Sequence, residues 1–209
     1  MQTDLPMGCT AFADAQRIGT GTVEEVALMT KRLIDQGSKA TILIFDNESS
    51  EPIEIDFRGT EADVRKRLQR QYSLTQPAST CKETHSTADE TIAPKGPGRP
   101  KLGVVAREVT LLPTHWQWLN SQPGGASVAL RKLVEAARKA NQNKDRLRCA
   151  QEATYRFMSA MAGNFAGFEE ATRALFAARL NDFEESTKAW PADVREHAMK
   201  ISKDCFAQS

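Results

Sequence analysis

Residues 104–140, VVAREVTLLPTHWQWLNSQPGGASVALRKLVEAARKA, decide the organisation of the chain. The run 104–112 is β-branched and short, as a strand should be. Pro113 then suits the first turn of a short helix that carries Trp116, Trp118 and Leu119. Pro123-Gly124-Gly125 breaks the chain, and Ser127 is placed to cap a second helix. In that helix Leu130, Leu133, Val134 and Ala137 recur at i, i+3, i+4 and i+7, while Arg131, Lys132, Arg138 and Lys139 occupy other faces. The predicted order is strand, short helix, glycine turn and longer amphipathic helix with a basic outer side.

The charge around this stretch is segregated. From Lys95 to Arg148 the chain holds 11 of its 28 Lys and Arg residues and three acids, Glu108, Glu135 and Asp145, so the segment carries +8 in a protein whose net charge is +1. A basic segment of this kind predicts a nucleic-acid partner. Backbone N–H groups at the start of the longer helix, around Gly125 and Ser127, suit a phosphate, with Arg131 one turn on.

Upstream, residues 9–72 read as ββαββα. CTAFA and RIGTG form a hairpin about Asp14-Ala15-Gln16, and Thr22 with Glu25 makes a capping box for a helix ending at Gly37. ATILIFD (40–46) is a nearly continuous apolar strand, and IEIDF (53–57) alternates as a half-exposed strand whose Glu54 and Asp56 read as a solvated face rather than ligands. Thr60 and Asp63 open a second helix. Residues up to 93 hold 15 acids against 10 bases. From Ser73 the composition turns to Ser, Thr, Pro and Gln without periodicity, which predicts a flexible linker. Downstream, one helix face carries Leu147, Ala150, Thr154, Phe157, Met158 and Met161, ending at Gly163. A second helix spans Phe168 to Phe176, and shorter ones follow from Phe183 to Trp190 and after Pro191. The Met and Phe stripe reads as core. The fold class expected is therefore α+β, with a small α+β domain over 1–72, a linker over 73–100, a strand-helix-helix unit over 101–141 and a helical bundle over 142–209.

Four cysteines with no C-x-x-C spacing predict reduced thiols in a cytoplasmic protein, with no metal site. No membrane segment is expected. No nucleophile-and-base or phosphate-loop spacing surrounds His85, His115 or His197, so the expectation is no enzyme and no cofactor.

Val109-Thr110-Leu111, Pro113 to Leu119, Gly125-Ala126-Ser127 and Ala129-Leu130-Arg131-Lys132-Leu133-Val134 resemble the ribbon-helix-helix family of DNA-binding proteins, over about 40 of the 209 residues. The resemblance implies a homodimer whose paired strands enter the major groove while the start of the second helix holds the backbone. Strand parity then turns Glu108 and Thr110 to the groove and Val109 and Leu111 to the helices. Thr110 suits base edges, Glu108 can accept from a cytosine amino group, and Arg107 sits on the inward parity near a phosphate. A ribbon used only for dimerisation is the alternative.

Pro97-Gly98-Arg99-Pro100-Lys101 resembles the core of an AT-hook, which implies an extended arm in the narrow minor groove of A·T-rich double-stranded DNA, with Lys95, Arg99 and Lys101 as its cations. The segments GRPKLGVVAREVTLLP, PGGASVALRKLVEAAR, YRFMSAMAG, FEEATRALF and AWPADVR also resemble a bacterial family of uncharacterised proteins, which implies no activity. The function expected is a dimeric DNA-binding protein, a transcriptional regulator or nucleoid-type protein. The alternative is a protein-interaction or antitoxin-like module, and a small-ligand-binding protein or enzyme ranks below both.

Overall fold

The structure, a computed structural model, describes residues 8–75 and 107–207. Its elements in chain order are β1 (Cys9–Ala13), β2 (Gln16–Gly21), α1 (Val23–Asp35), β3 (Ile42–Asp46), α2 (Glu61–Thr75), α3 (Pro113–Ser121), α4 (Gly125–Ala162), α5 (Phe168–Phe176), α6 (Leu180–Ser186), α7 (Ala192–Ile201) and α8 (Lys203–Phe206). The described residues fall into two compact units, 8–75 with 141–207, and 107–140.

The first unit is built on an antiparallel sheet of order β2-β1-β3. Alternate side chains of a strand leave opposite faces, and here both faces are covered. Cys9, Ala11, Ile42 and Ile44 pack with Val23, Val26 and Ala27 of α1 and with Val64 and Leu68 of α2. Phe12, Leu43 and Phe45 leave the other face and join Phe157, Met158, Leu175, Phe183, Val194 and Ala198 of the later helices. Burial on both faces explains why residues 42–45 are apolar without a break. It also means that 1–72 does not close on itself. The expected domain shares one core with the C-terminal helices, in which Phe157 lies with its ring centroid 5.5 Å from that of Phe12 and 5.3 Å from that of Phe45. Burying each such ring contributes about 1.5–3 kcal/mol.

Polar ties reinforce the junction. The Arg17 backbone N–H donates to Asp193 Oδ2 at 2.8 Å, Arg17 pairs with Glu196 at 3.3 Å, and the Arg156 guanidinium donates to the Ser49 carbonyl. His197 sits against the rings of Phe12 and Phe157 with 2 % exposure and no partner for Nε2. Burial, with Lys200 and Arg17 nearby, pulls its pKa down to about 4 and keeps the ring neutral. The buried Cys9 and Cys205 thiols are pushed up to about 11, chiefly by burial. The three described cysteines are free.

Local signals set the element ends. Glu25 N–H donates to the Thr22 hydroxyl at 3.3 Å, and Thr22 N–H donates back to the Glu25 carboxylate at 2.9 Å. The Thr22 N–H and the Thr22 hydroxyl, each donating to the carboxylate at 2.9 Å, hold the Glu25 carboxyl below its ordinary range. Thr60 and Asp63 repeat the arrangement before α2, at 3.3 and 2.9 Å. Such a cap is worth about 1 kcal/mol. Gly167 precedes α5 at φ +84°, where a Cβ would lie 2.3 Å from the Ser186 carbonyl oxygen, so only glycine fits.

Three expectations are corrected. The described part of the strand expected over 104–112 is extended at Leu112 but forms no strand, because no neighbouring strand pairs with it among the described residues. Residues 53–57 are not a fourth strand: Pro52 bridges Phe45, the Ile53 N–H donates to the Ile44 carbonyl at 2.7 Å, and no ladder follows among the described residues. The first part of the chain is therefore ββαβα. The Asp56 carboxylate turns back on Arg58 through bonds of 3.0 and 2.8 Å, while Ile53, Ile55 and Phe57 still pack inward. The two helical patterns at 127–140 and 147–161 are one helix of 38 residues. Between them stand Asn, Gln, Lys, Asp and Arg but no Gly or Pro, so nothing stops α4 at the expected boundary at 141.

Candidate nucleic-acid interface

The second unit consists of the segment 107–112, α3 and the first part of α4. Leu112 is extended, at φ −64° and ψ 151°, and Pro113 starts α3. Helix α3 closes with the Gln122 N–H on the Leu119 carbonyl at 3.2 Å, and the Gly125 N–H on the Gln122 carbonyl follows at 3.0 Å. Gly124 turns the chain at φ +88°, where a Cβ would press on Val128 at 3.2 Å.

Two residues of this unit, Leu119 and Ala129, are buried. Leu111 turns toward the helices, where it lines a groove of about 270 Å³ with Thr114, His115, Trp118, Leu130 and Leu133. Strand parity does not describe this segment, because residues 107–112 form no strand. Val109 is 55 % exposed, and Leu112, Trp118, Leu133 and Val134 are 61, 51, 48 and 63 % exposed. An apolar face this open is unusual for a self-sufficient fold.

The expected DNA-contacting residues divide into three groups. Arg107 and Thr110 are exposed in the segment before α3, beside Glu108, and this segment pairs with no strand among the described residues. Gly125, Ser127 and Arg131 come together on the first two turns of α4, where the Arg131 Nε–H donates to the Ser127 carbonyl at 3.1 Å. Ser127 is not the cap: α4 begins two residues earlier, at Gly125, because the glycine pair at positive φ itself makes the turn. Lys95, Arg99 and Lys101 lie outside the described residues.

Beyond Arg131 the basic face continues through Lys132, Arg138 and Lys139, all exposed. Glu135 is held by Arg138 at 2.9 Å and Lys139 at 3.7 Å, and that pairing lowers its carboxyl pKa. The acids expected on a solvated face behave as expected. A groove of about 520 Å³ between 54–56 and α2 is lined by Glu54, Asp56, Arg67 and Arg70, but the Asp56 carboxylate is committed to Arg58, whose bonds hold its pKa far below the ordinary range. No cluster of three or more metal-ligating side chains occurs among the described residues, and none of their helices is long and apolar enough to cross a membrane. Sequence reading missed the aromatic group of Tyr155, Phe168 and Phe176, the last two with centroids 6.5 and 5.9 Å from that of Tyr155. Their spacing looked like core.

Residues 8–202 match a family described as an uncharacterized protein conserved in bacteria, DUF2239. The chain belongs to that family. The DUF2239 match runs through both units, so the stretch 107–140 is part of the family's own sequence and not an appendage to it. No curated protein matches the chain, and no solved structure does.

Proposed function

We propose that this DUF2239 protein is a dimeric DNA-binding protein, a transcriptional regulator or nucleoid-type protein. Residues 107–140 supply the dimer contact and the backbone contacts, and the arm at Lys95, Arg99 and Lys101 enters an A·T-rich minor groove. The observation that carries this reading is the two-sidedness of the second unit. Its apolar residues Val109, Trp118, Leu133 and Val134 are left open, and its cations stand on other faces of α4. A second copy covers the former, and DNA phosphates neutralise the latter. Ser127 offers a first-turn N–H group to a phosphate, while the Gly125 N–H is taken by the Gln122 carbonyl; Arg131 extends that contact, and Arg107 and Thr110 lie on the segment that would pair into the ribbon.

The open apolar face also favours a second reading, a protein-interaction or antitoxin-like module in which another protein covers it. Gel shifts separate the two. The full chain is expected to bind duplex DNA, and Arg99→Ala to weaken binding to A·T-rich duplex by about tenfold or more, with a smaller loss on G·C-rich duplex. Equal losses on both contradict the minor-groove arm, and no binding to either contradicts the DNA reading.

A further inference from the structure

We infer that Arg138 and Lys139 form a second phosphate-contacting pair on α4, held in reserve by Glu135, so that the DNA footprint continues past the helix start. The inference rests on the DNA-binding reading above and adds three residues to it. Arg131 and Lys132 recur seven residues later as Arg138 and Lys139, and a seven-residue interval returns to nearly the same side of a helix. Seven residues rise about 10 Å along the axis, so the two pairs stand far enough apart to reach separate phosphates of one duplex.

Glu135 lies between the pairs and is bridged by both later cations, Arg138 at 2.9 Å and Lys139 at 3.7 Å. All three side chains are roughly half exposed or more, at 71, 72 and 48 %. Ion pairs that open to solvent contribute little, so a phosphate can displace the carboxylate at small cost. Glu135 thereby weakens the contact without abolishing it. A basic amphipathic helix also suits an anionic membrane surface. Co-sedimentation with anionic vesicles separates that surface from DNA.

The test measures binding of the full chain to a duplex over a salt series, beside co-sedimentation with phosphatidylserine vesicles. Exposed helical positions accept alanine, and circular dichroism checks that each variant keeps its helix. Arg138→Ala with Lys139→Ala is expected to lower the log–log salt slope by about two, and Glu135→Gln to bind roughly threefold tighter or more. A wild type that binds DNA with a slope unmoved by the double variant overturns this inference and leaves the DNA reading standing. Binding lost on vesicles but not on DNA overturns it in favour of a membrane. Absence of duplex binding by the wild type overturns both.

Discussion

Val109→Lys combined with Val134→Lys is expected to turn the protein from a dimer into a monomer at micromolar concentration and to reduce its duplex affinity by at least about a hundredfold, because linked binding units gain factors of about 100 to 10,000 over single ones. Both side chains are more than half exposed in the single chain, at 55 and 63 %, so lysine at either place leaves the chain's own core intact. A charge buried in a dimer contact, by contrast, costs several kcal/mol. The choice of lysine sharpens the result: each substitution adds a positive charge, which by itself strengthens attraction to DNA. A fall in affinity despite the added charge identifies loss of the dimer as the cause. Light scattering and a gel shift on the same preparations give the readout. A variant that remains dimeric, or a wild type that is monomeric, contradicts the pairing of residues 107–140 between two copies.

Phe157→Ala is expected to destabilise the first unit by about 3–5 kcal/mol, which for a chain of this size lowers the melting temperature by roughly 10 °C. Phe157 is fully buried, and its ring meets Phe12, Phe45 and His197, the last at 4.6 Å between centroids. Removing it therefore opens a cavity between the sheet and the C-terminal helices. Phe176, 52 % exposed, is the control, and alanine there is expected to cost well under 1 kcal/mol. Far-ultraviolet circular dichroism during thermal unfolding reports both. A loss at Phe157 no larger than at Phe176 contradicts a core shared between residues 8–75 and 141–207.

That shared core marks the border of what the sequence made legible. Elements governed by neighbours a few residues apart were readable. The Thr22–Glu25 and Thr60–Asp63 boxes, the turn at Asp14, Gly37 after α1 and the end of α4 before Gly163 all stand where their local chemistry puts them. The alternation at 53–57 was read correctly as burial, with Ile53, Ile55 and Phe57 inward, but incorrectly as pairing. Inward alternation tells which side packs, and a ladder needs a neighbour that only the three-dimensional arrangement supplies. For the same reason, the apolar run of β3 signalled burial on both faces without naming what covers the second one. The unbroken α4 was hidden by a change of apolar face between its two patterns, which resembles a helix end when the intervening residues are polar. On the candidate interface, the basic face of α4 was readable from periodicity, whereas the period-2 reading of 107–112 failed because that segment pairs with no strand among the described residues. The role of Glu135 as a clamp on Arg138 and Lys139 required side-chain geometry.

If the basic segment from Lys95 to Arg148 binds duplex DNA through its phosphates, that binding must weaken with salt. For the full chain titrated against a single duplex between 50 and 200 mM salt, neutralisation of six or more phosphates predicts a fall in affinity of about a thousandfold or more, linear on a log–log plot. An affinity that stays flat across that range, or binding too weak to detect at 50 mM, contradicts the account.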